Sequence, residues 1–245
     1  MARIFITGST DGLGQLAGKA LLKQGHHVVL HARNEQRAED AKQAVPEAAD
    51  IVIGDLSSME ETRSLAEEVN ALGDFDVIIH NAGVYRASGE EILAVNTLAP
   101  YILTCQIHRP KRLIYLSSGM HKHGDPALEQ ITSGRGNISY SDSKLHVVLL
   151  AKAVARKWPD VYDNAVDPGW VPTKMGGSGA PGDLQKGYET QVWLAVSNDN
   201  KAKVSGRYFH HKKEANYHPK ADEIAVQEKF LTACKDVTGV SFPVG

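Results

Sequence analysis

The chain of 245 residues is poor in cysteine and carries almost no net charge. Its two cysteines, Cys105 and Cys234, are too few for a disulfide framework, and their wide separation does not fit a metal-binding cysteine pair. We therefore expect a reducing, cytoplasmic location. The 27 basic and 29 acidic side chains give a net charge of −2, which offers no electrostatic reason to expect nucleic acid or an anionic membrane as a partner.

Long apolar runs are missing as well. No run approaches the roughly 20 residues that cross a bilayer, and the first residues contain no basic-then-apolar leader, so we expect neither a membrane span nor a signal peptide. The sequence also lacks repeats, low-complexity tracts and linkers. With 42% hydrophobic and 23% charged residues, its composition is that of a globular protein. These features predict a single domain over residues 1–245.

What the sequence does contain is an alternation of short β-branched runs with longer segments of helical spacing. Strands are predicted at residues 3–7, 27–32, 49–54, 76–80, 112–117, 162–166 and 206–209, and helices at residues 13–24, 35–45, 58–72, 90–107, 139–157 and 222–237. This alternation is typical of an α/β fold, a parallel sheet of about seven strands with helices on both faces. A glycine-rich stretch, about 169–184, is predicted to be a lid over the site, and about 206–245 a C-terminal extension.

A glycine-rich turn follows the first strand. Its glycines have the spacing Gly-x-x-x-Gly-x-Gly. The first permits a tight turn, the second lets a pyrophosphate approach the backbone, and the third lets the helix pack closely on the strand. The N-terminus of that helix favours phosphate groups. The turn therefore predicts a doubly wound, Rossmann-type domain that binds a dinucleotide through Gly8, Ser9, Thr10, Asp11, Gly12, Leu13 and Gly14.

The tip of the second strand indicates which dinucleotide is bound. A free ribose 2′-hydroxyl usually meets an acidic residue at this point, whereas a 2′-phosphate meets arginine. The sequence here is Ala32-Arg33-Asn34. Arg33 can offer a planar fork of donors to a phosphate, which favours NADP(H) over NAD(H). The alternative is that Arg33 is a solvated side chain in a surface loop.

Motifs further along the chain resemble those of the short-chain dehydrogenase/reductase family, in its single-domain branch. The resemblance covers nearly the whole chain, and the motifs come in the family's order. They are Thr7-Gly8-x-x-x-Gly12-x-Gly14, Asp55, Asn81-Ala82-Gly83, Asn96, Ser117-Ser118, Tyr140-x-x-x-Lys144 and Pro168-Gly169-Trp170-Val171-Pro172-Thr173. The stretch that begins at Gly206 is similar to retinol-dehydrogenase-like reductases.

The resemblance implies roles in cofactor binding for several of these positions. Asp55, followed by Leu56, would hold the adenine amino group, and Asn81 would tie the fourth strand to the glycine turn. The adenine ribose would be lined by Ala82 and Gly83. Contacts with the nicotinamide and the phosphates would come from the segment after the sixth strand, through Pro168, Gly169, Val171 and Thr173.

The resemblance also implies a catalytic tetrad of Asn96, Ser118, Tyr140 and Lys144, of which Tyr140 and Lys144 would also contact the cofactor. Transfer of hydride to a carbonyl requires a proton donor, and a tyrosine can serve if its pKa falls toward neutrality. Residues four apart on a helix share a face, so Lys144 is expected beside Tyr140 and to lower the pKa of its hydroxyl. By the resemblance, Asn96 distorts its helix and extends a proton relay to Lys144.

Each of these residues also has a structural alternative. Ser118 could be a turn hydroxyl, Tyr140 and Lys144 an exposed helical pair, Asn96 a locally satisfied amide, and Asp55 a helix cap. Tyr208 and Lys212 repeat the Tyr-x-x-x-Lys spacing. Because Tyr208 falls in a predicted strand, where four residues span about 13 Å, it is interpreted as a core or pocket-wall aromatic.

The eleven histidines do not form a convincing metal site, because adjacent histidines on a strand point to opposite faces. We expect no metal, and interpret His121 as part of the substrate pocket. That pocket is expected to form from residues 121–138, the glycine-rich loop, Trp170, Met175 and Trp193. Aromatic and methionine side chains favour an apolar substrate.

The function expected from these features is hydride transfer between NADP(H) and a small carbonyl compound, or a primary or secondary alcohol, in a monomer or homodimer. The first alternative is a catalytically silent NADP(H)-binding sensor or scaffold. A sugar-nucleotide epimerase or dehydratase is less favoured, because few residues follow Thr173 to form a substrate domain.

Overall fold

The computed structural model describes residues 1–133 and 137–243. A single sheet in the order β3-β2-β1-β4-β5-β6-β7-β8 runs through them. Its strands are β1 (Arg3–Ile6), β2 (His27–Ala32), β3 (Asp50–Ile53), β4 (Val77–His80), β5 (Arg112–Leu116), β6 (Tyr162–Asp167), β7 (Arg207–His210) and β8 (Lys213–Glu214). Strands β1 to β7 are parallel, as predicted. The order reverses beside β1, so the carboxyl ends of β1 and β4 flank a crevice of the kind in which α/β proteins bind ligands.

The short eighth strand was not predicted from the sequence. It pairs antiparallel with β7 after a turn in which His211 and Lys212 have φ angles of 49° and 62°. Two charged residues give no β pattern, and only the pairing with β7 makes them a strand.

Helices cover both faces of the sheet, and two apolar cores lie between the helices and the sheet. The helices are α1 (Gly12–Lys23), α2 (Glu35–Ala44), α3 (Met59–Ala71), α4 (Gly89–Leu93), α5 (Ala99–Gln106), α6 (Leu128–Ser133), α7 (Tyr140–Lys157), α8 (Leu184–Val196) and α9 (Ile224–Thr238). One core joins the sheet to helices α1, α2 and α8, and the other joins it to α3, α5, α7 and α9. No helix in the described ranges is both long and apolar enough to cross a membrane.

The segment predicted as one helix over residues 90–107 is divided. A π turn, Ala94–Leu98, separates α4 from α5. Such turns insert an extra residue and often mark functional positions. Asn96 lies in the middle of this one, so the helix is distorted where the family resemblance implied that it would be.

The start of α7 is fixed by a capping box. The Ser139 hydroxyl accepts a hydrogen bond from the Asp142 amide, and the Asp142 carboxylate accepts one from the Ser139 amide. These bonds satisfy free N–H groups of the first turn and make Tyr140 the first residue of the helix. In the preceding segment, residues 121–138, the structure shows α6, which was not predicted, while residues 134–136 lie outside the described residues.

Candidate active site

The glycine turn between β1 and α1 packs so tightly against the residues after β4 that its first and last glycine positions leave no space for a side chain. Gly8 has a φ of +60°, and a Cβ added to it would lie 2.7 Å from the Ala82 Cα. A Cβ on Gly14 would lie 2.4 Å from the Asn81 Nδ2. Both glycines are therefore required by contact with the residues that follow β4, whereas Gly12 is required by its φ of +55°.

The N-terminus of α1 is open to the cleft. Its N-cap residue, Asp11, makes no side-chain cap hydrogen bond within the described chain, and the first turn carries no acidic side chain. The cleft is lined there by Gly12 and Leu13. The free N–H groups and partial positive charge of this helix end suit the pyrophosphate of a dinucleotide.

Asp11 instead holds two basic side chains that the sequence did not single out. Its Oδ2 lies 2.5 Å from the Arg37 Nη2 and 3.0 Å from the Lys174 Nζ. Arg37 also donates to the Thr10 hydroxyl at 2.8 Å. Burial raises the pKa of Asp11, but the hydrogen bonds and charges of the two cations outweigh it, so the pKa is lowered. Arg33 lies exposed at the rim of the same cleft, and its position four residues before Arg37 was the available sequence signal.

Behind the glycine turn lies His31, a second residue that the sequence did not single out. Its Nδ1 accepts a hydrogen bond from the Gly8 amide at 2.9 Å, so Nε2 carries the proton and donates to the Gly54 carbonyl at 2.8 Å. Burial lowers the pKa of His31. Ser9 is also fully buried, and its hydroxyl joins the His31 amide to the Ile6 carbonyl rather than facing the cleft. A histidine within an apolar strand was the signal for this link.

Asn81 ties β4 to the glycine turn, as the resemblance implied. Its side-chain amide donates to the Thr7 carbonyl at 3.0 Å and to the Gly8 carbonyl at 2.9 Å. Asp55, after β3, uses Oδ1 to accept hydrogen bonds from the amide and the hydroxyl of Ser57. Asp55 therefore shapes the turn before α3 and also lines the cleft.

The cleft has a volume of about 470 Å³ and runs along the carboxyl ends of the strands. It brings together seventeen of the residues named from the sequence: Gly8, Thr10, Asp11, Gly12, Leu13, Arg33, Asp55, Leu56, Asn81, Ala82, Gly83, Ser117, Tyr140, Lys144, Pro168, Thr173 and Met175. Six other site residues named from the sequence are not part of its lining, namely Ser9, Gly14, Asn96, Ser118, Gly169 and Val171. A dinucleotide laid from Arg33 toward Tyr140 would follow the full length of the cleft.

Tyr140 and Lys144 lie on one face of α7, with the side chains turned toward the end of β5. The Lys144 Nζ donates to the Leu116 carbonyl at 2.9 Å and lies 5.5 Å from the centre of the Tyr140 ring. Ser118 follows β5 and lies near enough to Tyr140 for its hydroxyl to lower the pKa of the phenol, so the third residue of the set is beside the first.

The pKa of Tyr140 differs in direction from the sequence expectation. Burial raises it to about 12, and the charge of Asp167 adds to this rise, while the hydrogen bond to Ser118 opposes it. Burial also lowers the pKa of Lys144 to about 8. The lysine does not offset the desolvation of the phenol because its Nζ is bonded to Leu116 and faces the ring rather than the hydroxyl.

Asn96 joins the segment that follows β4 to α7. Its Oδ1 accepts from the Val84 amide at 2.8 Å, and its Nδ2 donates to the Val84 carbonyl at 2.9 Å and to the Ser143 hydroxyl at 3.0 Å. A Cβ on Gly83 would lie 3.2 Å from the Lys144 Nζ and 3.3 Å from the Asn96 Oδ1. Gly83 therefore lies between the lysine and the asparagine.

Two aromatic residues near Ser118 serve as structural supports. His121 is fully buried, contrary to its interpretation as a pocket residue. Its Nε2 accepts from the His218 amide at 3.2 Å, so Nδ1 donates to the Ser118 carbonyl at 2.7 Å. It thereby joins the end of β5 to the C-terminal extension. Its ring packs on Tyr208, which is 2% exposed in β7 and is the core aromatic that was expected.

Several known proteins are similar to this chain in sequence or in fold. The family model of the short chain dehydrogenases matches residues 2–112. The chain is 48% identical to an uncharacterized oxidoreductase of Emericella nidulans over 100% of both chains. It is 44% identical to the short-chain dehydrogenase chyC of Penicillium rubens, over 99% of this chain and 100% of that one. The chain belongs to the short-chain dehydrogenase/reductase family.

More distant similarities agree with this membership. Retinol dehydrogenase 14 of Mus musculus is 29% identical over 97% of this chain and 86% of its own. Among solved structures, an uncharacterized protein of Mycobacterium paratuberculosis has a TM-score of 0.82 at 20% identity and covers 100% of this chain and 96% of its own. A blue fluorescent protein from a metagenomic library, solved in complex with NADPH, has a TM-score of 0.72 at 19% identity, with coverages of 85% and 95%. The structural similarities concern the fold, whereas the sequence identities establish an oxidoreductase family with retinol-dehydrogenase-like members.

Proposed function

We propose that this oxidoreductase transfers hydride between NADP(H) and a small, largely apolar carbonyl compound or its alcohol, with Tyr140 as the acid/base. The main support is that Tyr140 and Lys144 line the cleft that the glycine turn opens, with Ser118 beside Tyr140. These residues come from α7 and from the end of β5, and only the fold brings them together.

The choice of NADP(H) is supported by the basic side chains at the other end of the cleft. Arg33, Arg37 and Lys174 all line it, and the tip of β2 has no acidic residue that would hold a ribose 2′-hydroxyl. A 2′-phosphate would meet Arg33 directly. It would also compete with Asp11 for Arg37.

The residues of the chain provide a proton path suited to carbonyl reduction. Because its pKa is about 12, Tyr140 stays protonated at neutral pH and can donate its proton to the oxygen of a carbonyl substrate. Ser118 can donate a hydrogen bond to the same oxygen as negative charge develops on it. The positive charge of Lys144, 5.5 Å from the centre of the Tyr140 ring, would stabilise the phenolate once its Nζ turned from the Leu116 carbonyl toward the hydroxyl. The bound cofactor would supply the hydride.

The mouth of the site supports an apolar substrate. Four large apolar side chains near the reacting end are more than a third exposed, namely Tyr85, Met120, Trp170 and Met175. The edge of the Tyr85 ring packs against Tyr140 at a centroid distance of 4.7 Å. An apolar substrate would cover these side chains on binding.

The test is Tyr140→Phe, assayed with NADPH and a panel of ketones, aldehydes and alcohols. We expect turnover to fall by at least about 100-fold, the usual contribution of a positioned acid, while the Kd for NADPH stays within a factor of two to three. The matched control is Tyr162→Phe, at the amino end of β6 and so at the end of the sheet away from the site, which should leave turnover unchanged. Retained turnover in Tyr140→Phe would exclude the tyrosine as acid/base. A wild-type protein that binds NADPH but reduces nothing would favour the sensor or scaffold alternative.

A further inference from the structure

Asp167, the last residue of β6, lies against Gly119, the residue after Ser118, yet the proposed chemistry does not use it. Alternation along β6 places Asp167 on the same face as Ala165, which belongs to the core shared with α7. Asp167 pairs in register with His210 of β7, as Ala165 does with Tyr208. The carboxylate therefore emerges on the side of the sheet that carries Tyr140.

Only one carboxylate oxygen of Asp167 has a clear structural role. Oδ1 accepts a hydrogen bond from the Gly169 amide at 2.9 Å and so shapes the turn after β6. Oδ2 lies 3.5 Å from the His210 Nδ1, beyond the usual hydrogen-bond distance. Asparagine could make the bond to Gly169 equally well, so the turn alone does not require a carboxylate.

The second carboxylate oxygen of Asp167, Oδ2, faces Gly119, the residue that follows Ser118. A Cβ on Gly119 would lie 3.0 Å from the Asp167 Oδ2, so the residue after Ser118 leaves space only for this oxygen. The Asp167 side chain keeps 17% of its surface exposed. A substrate oxygen held by Ser118 and Tyr140 would bring the neighbouring atoms of the substrate close to Oδ2.

The charge of Asp167 disfavours ionisation of the catalytic tyrosine in the free protein. It contributes to the raised pKa of both Tyr140 and Tyr208, after burial. A hydrogen-bond donor on the substrate would shield this charge and lessen its effect on Tyr140. The carboxylate would then assist the reaction only when a substrate with a suitable donor is bound.

We propose that the Asp167 Oδ2 accepts a hydrogen bond from a hydroxyl group next to the reacting carbon, so that the preferred substrates are hydroxycarbonyl compounds and the corresponding vicinal diols with an apolar body. This inference rests on the proposed function, since it assumes that the carbonyl lies between Ser118 and Tyr140. It makes Asp167 a specificity-determining residue. A site built around a hydrogen-bond acceptor rejects a substrate that lacks the donor, because the acceptor is then left desolvated and unpaired.

The test compares two alcohols that cannot react with reduced cofactor, 1-phenylethanol and 1-phenyl-1,2-ethanediol, by calorimetric titration into the NADPH complex. We expect the diol to bind the wild-type complex about tenfold more tightly, the usual effect of a hydrogen bond to a charged group. In Asp167→Asn, Oδ1 still accepts from Gly169 but an NH₂ group replaces Oδ2, so the preference should disappear. Asp74→Asn, on the exposed loop before the amino end of β4, should retain the preference for the diol.

Equal affinities in the wild-type complex, a preference that survives in Asp167→Asn, or no binding of either alcohol would each overturn the inference. The Kd for NADPH, measured on every variant, shows that the site remains folded. Turnover of acetophenone and 2-hydroxyacetophenone is measured separately. Reduction of both ketones at equal rates would refute only the role of Asp167, whereas reduction of neither ketone, nor of any in the wider panel, would refute the proposed function.

Discussion

Arg33 is exposed at the rim of the cleft, whereas Arg37, four residues later, is already paired with Asp11. The two arginines therefore differ in what a bound 2′-phosphate would replace. At Arg33 the phosphate would displace water, and at Arg37 it would compete with a carboxylate. Because the competing ion pair lowers the net gain at Arg37, Arg33 is expected to contribute more to the selection of NADP(H).

Arg33→Ala is expected to weaken NADPH binding by about 10- to 100-fold, the range for a charge-assisted hydrogen bond, and to change NADH binding little. The measurement is the Kd of each cofactor by fluorescence titration. Arg207→Ala, at the amino end of β7, is the control and should affect neither. An equal loss for both cofactors would show that Arg33 does not contact the 2′-phosphate.

The loop predicted as a lid, residues 169–184, is an element whose glycines have different roles. A Cβ on Gly176 would lie 2.1 Å from the Val171 carbonyl oxygen, and one on Gly182 would lie 2.4 Å from the Trp170 carbonyl oxygen. These two glycines are required by packing of the loop against itself. Nothing lies within 4 Å of a Cβ on Gly177 or Gly179, so packing does not require these two glycines, although Gly177 has a φ of +79°. Lys174, paired with Asp11, fastens the loop to the glycine turn.

If the loop closes over the cofactor, NADPH should slow tryptic cleavage of the bond after Lys174. Cleavage requires local opening, and a ligand that binds only the closed loop reduces the open population by up to about 100-fold at 100 times its Kd. The measurement is the rate of cleavage, followed by mass spectrometry. Cleavage after Lys201, on the far side of α8, is the internal control and should be unaffected. Equal rates after Lys174 with and without NADPH would argue against a lid.

At the scale of the whole molecule, buried histidines link stability to pH. Four of them, His31, His80, His121 and His146, are at most 5% exposed. Burial lowers the pKa of each, to about 3 for His80 and about 4 for His146. The unfolded chain binds protons at these residues near pH 6.5, whereas the folded chain does so only at lower pH. Acid therefore favours unfolding, and stability is lost as the pH falls below 6.5 toward 4.

We expect the free energy of unfolding, measured in urea, to decrease between pH 6.5 and 4.5, with each buried histidine contributing up to about 1.4 kcal/mol per pH unit. His146→Gln should reduce this slope, since an amide can keep one of its bonds, to Thr97 or to Pro126, without taking up a proton. The exposed His123→Gln should leave the slope unchanged. Identical slopes for wild type and His146→Gln would contradict the assignment of a neutral, buried imidazole.

Local sequence patterns were sufficient to predict the fold, the glycine turn and the pairing of Tyr140 with Lys144. Alternating apolar runs predict parallel strands because both faces of such strands are buried, and the spacing of Gly8, Gly12 and Gly14 predicts the turn because each glycine meets a separate steric demand. Tyr140 and Lys144 could be paired from sequence because four residues make about one helical turn. Each of these inferences depends on neighbours within a few residues.

Tertiary structure alone decided the contacts between distant segments. The links from Asp11 to Lys174, from His121 to His218 and from Asp167 to Gly119 join residues that share no local periodicity. The direction of the Tyr140 pKa shift also depended on burial, which a helical spacing does not report. Sequence determined which side chains each element presents, and packing determined which of them lose water and meet, because desolvation and contact depend on distances through space rather than along the chain.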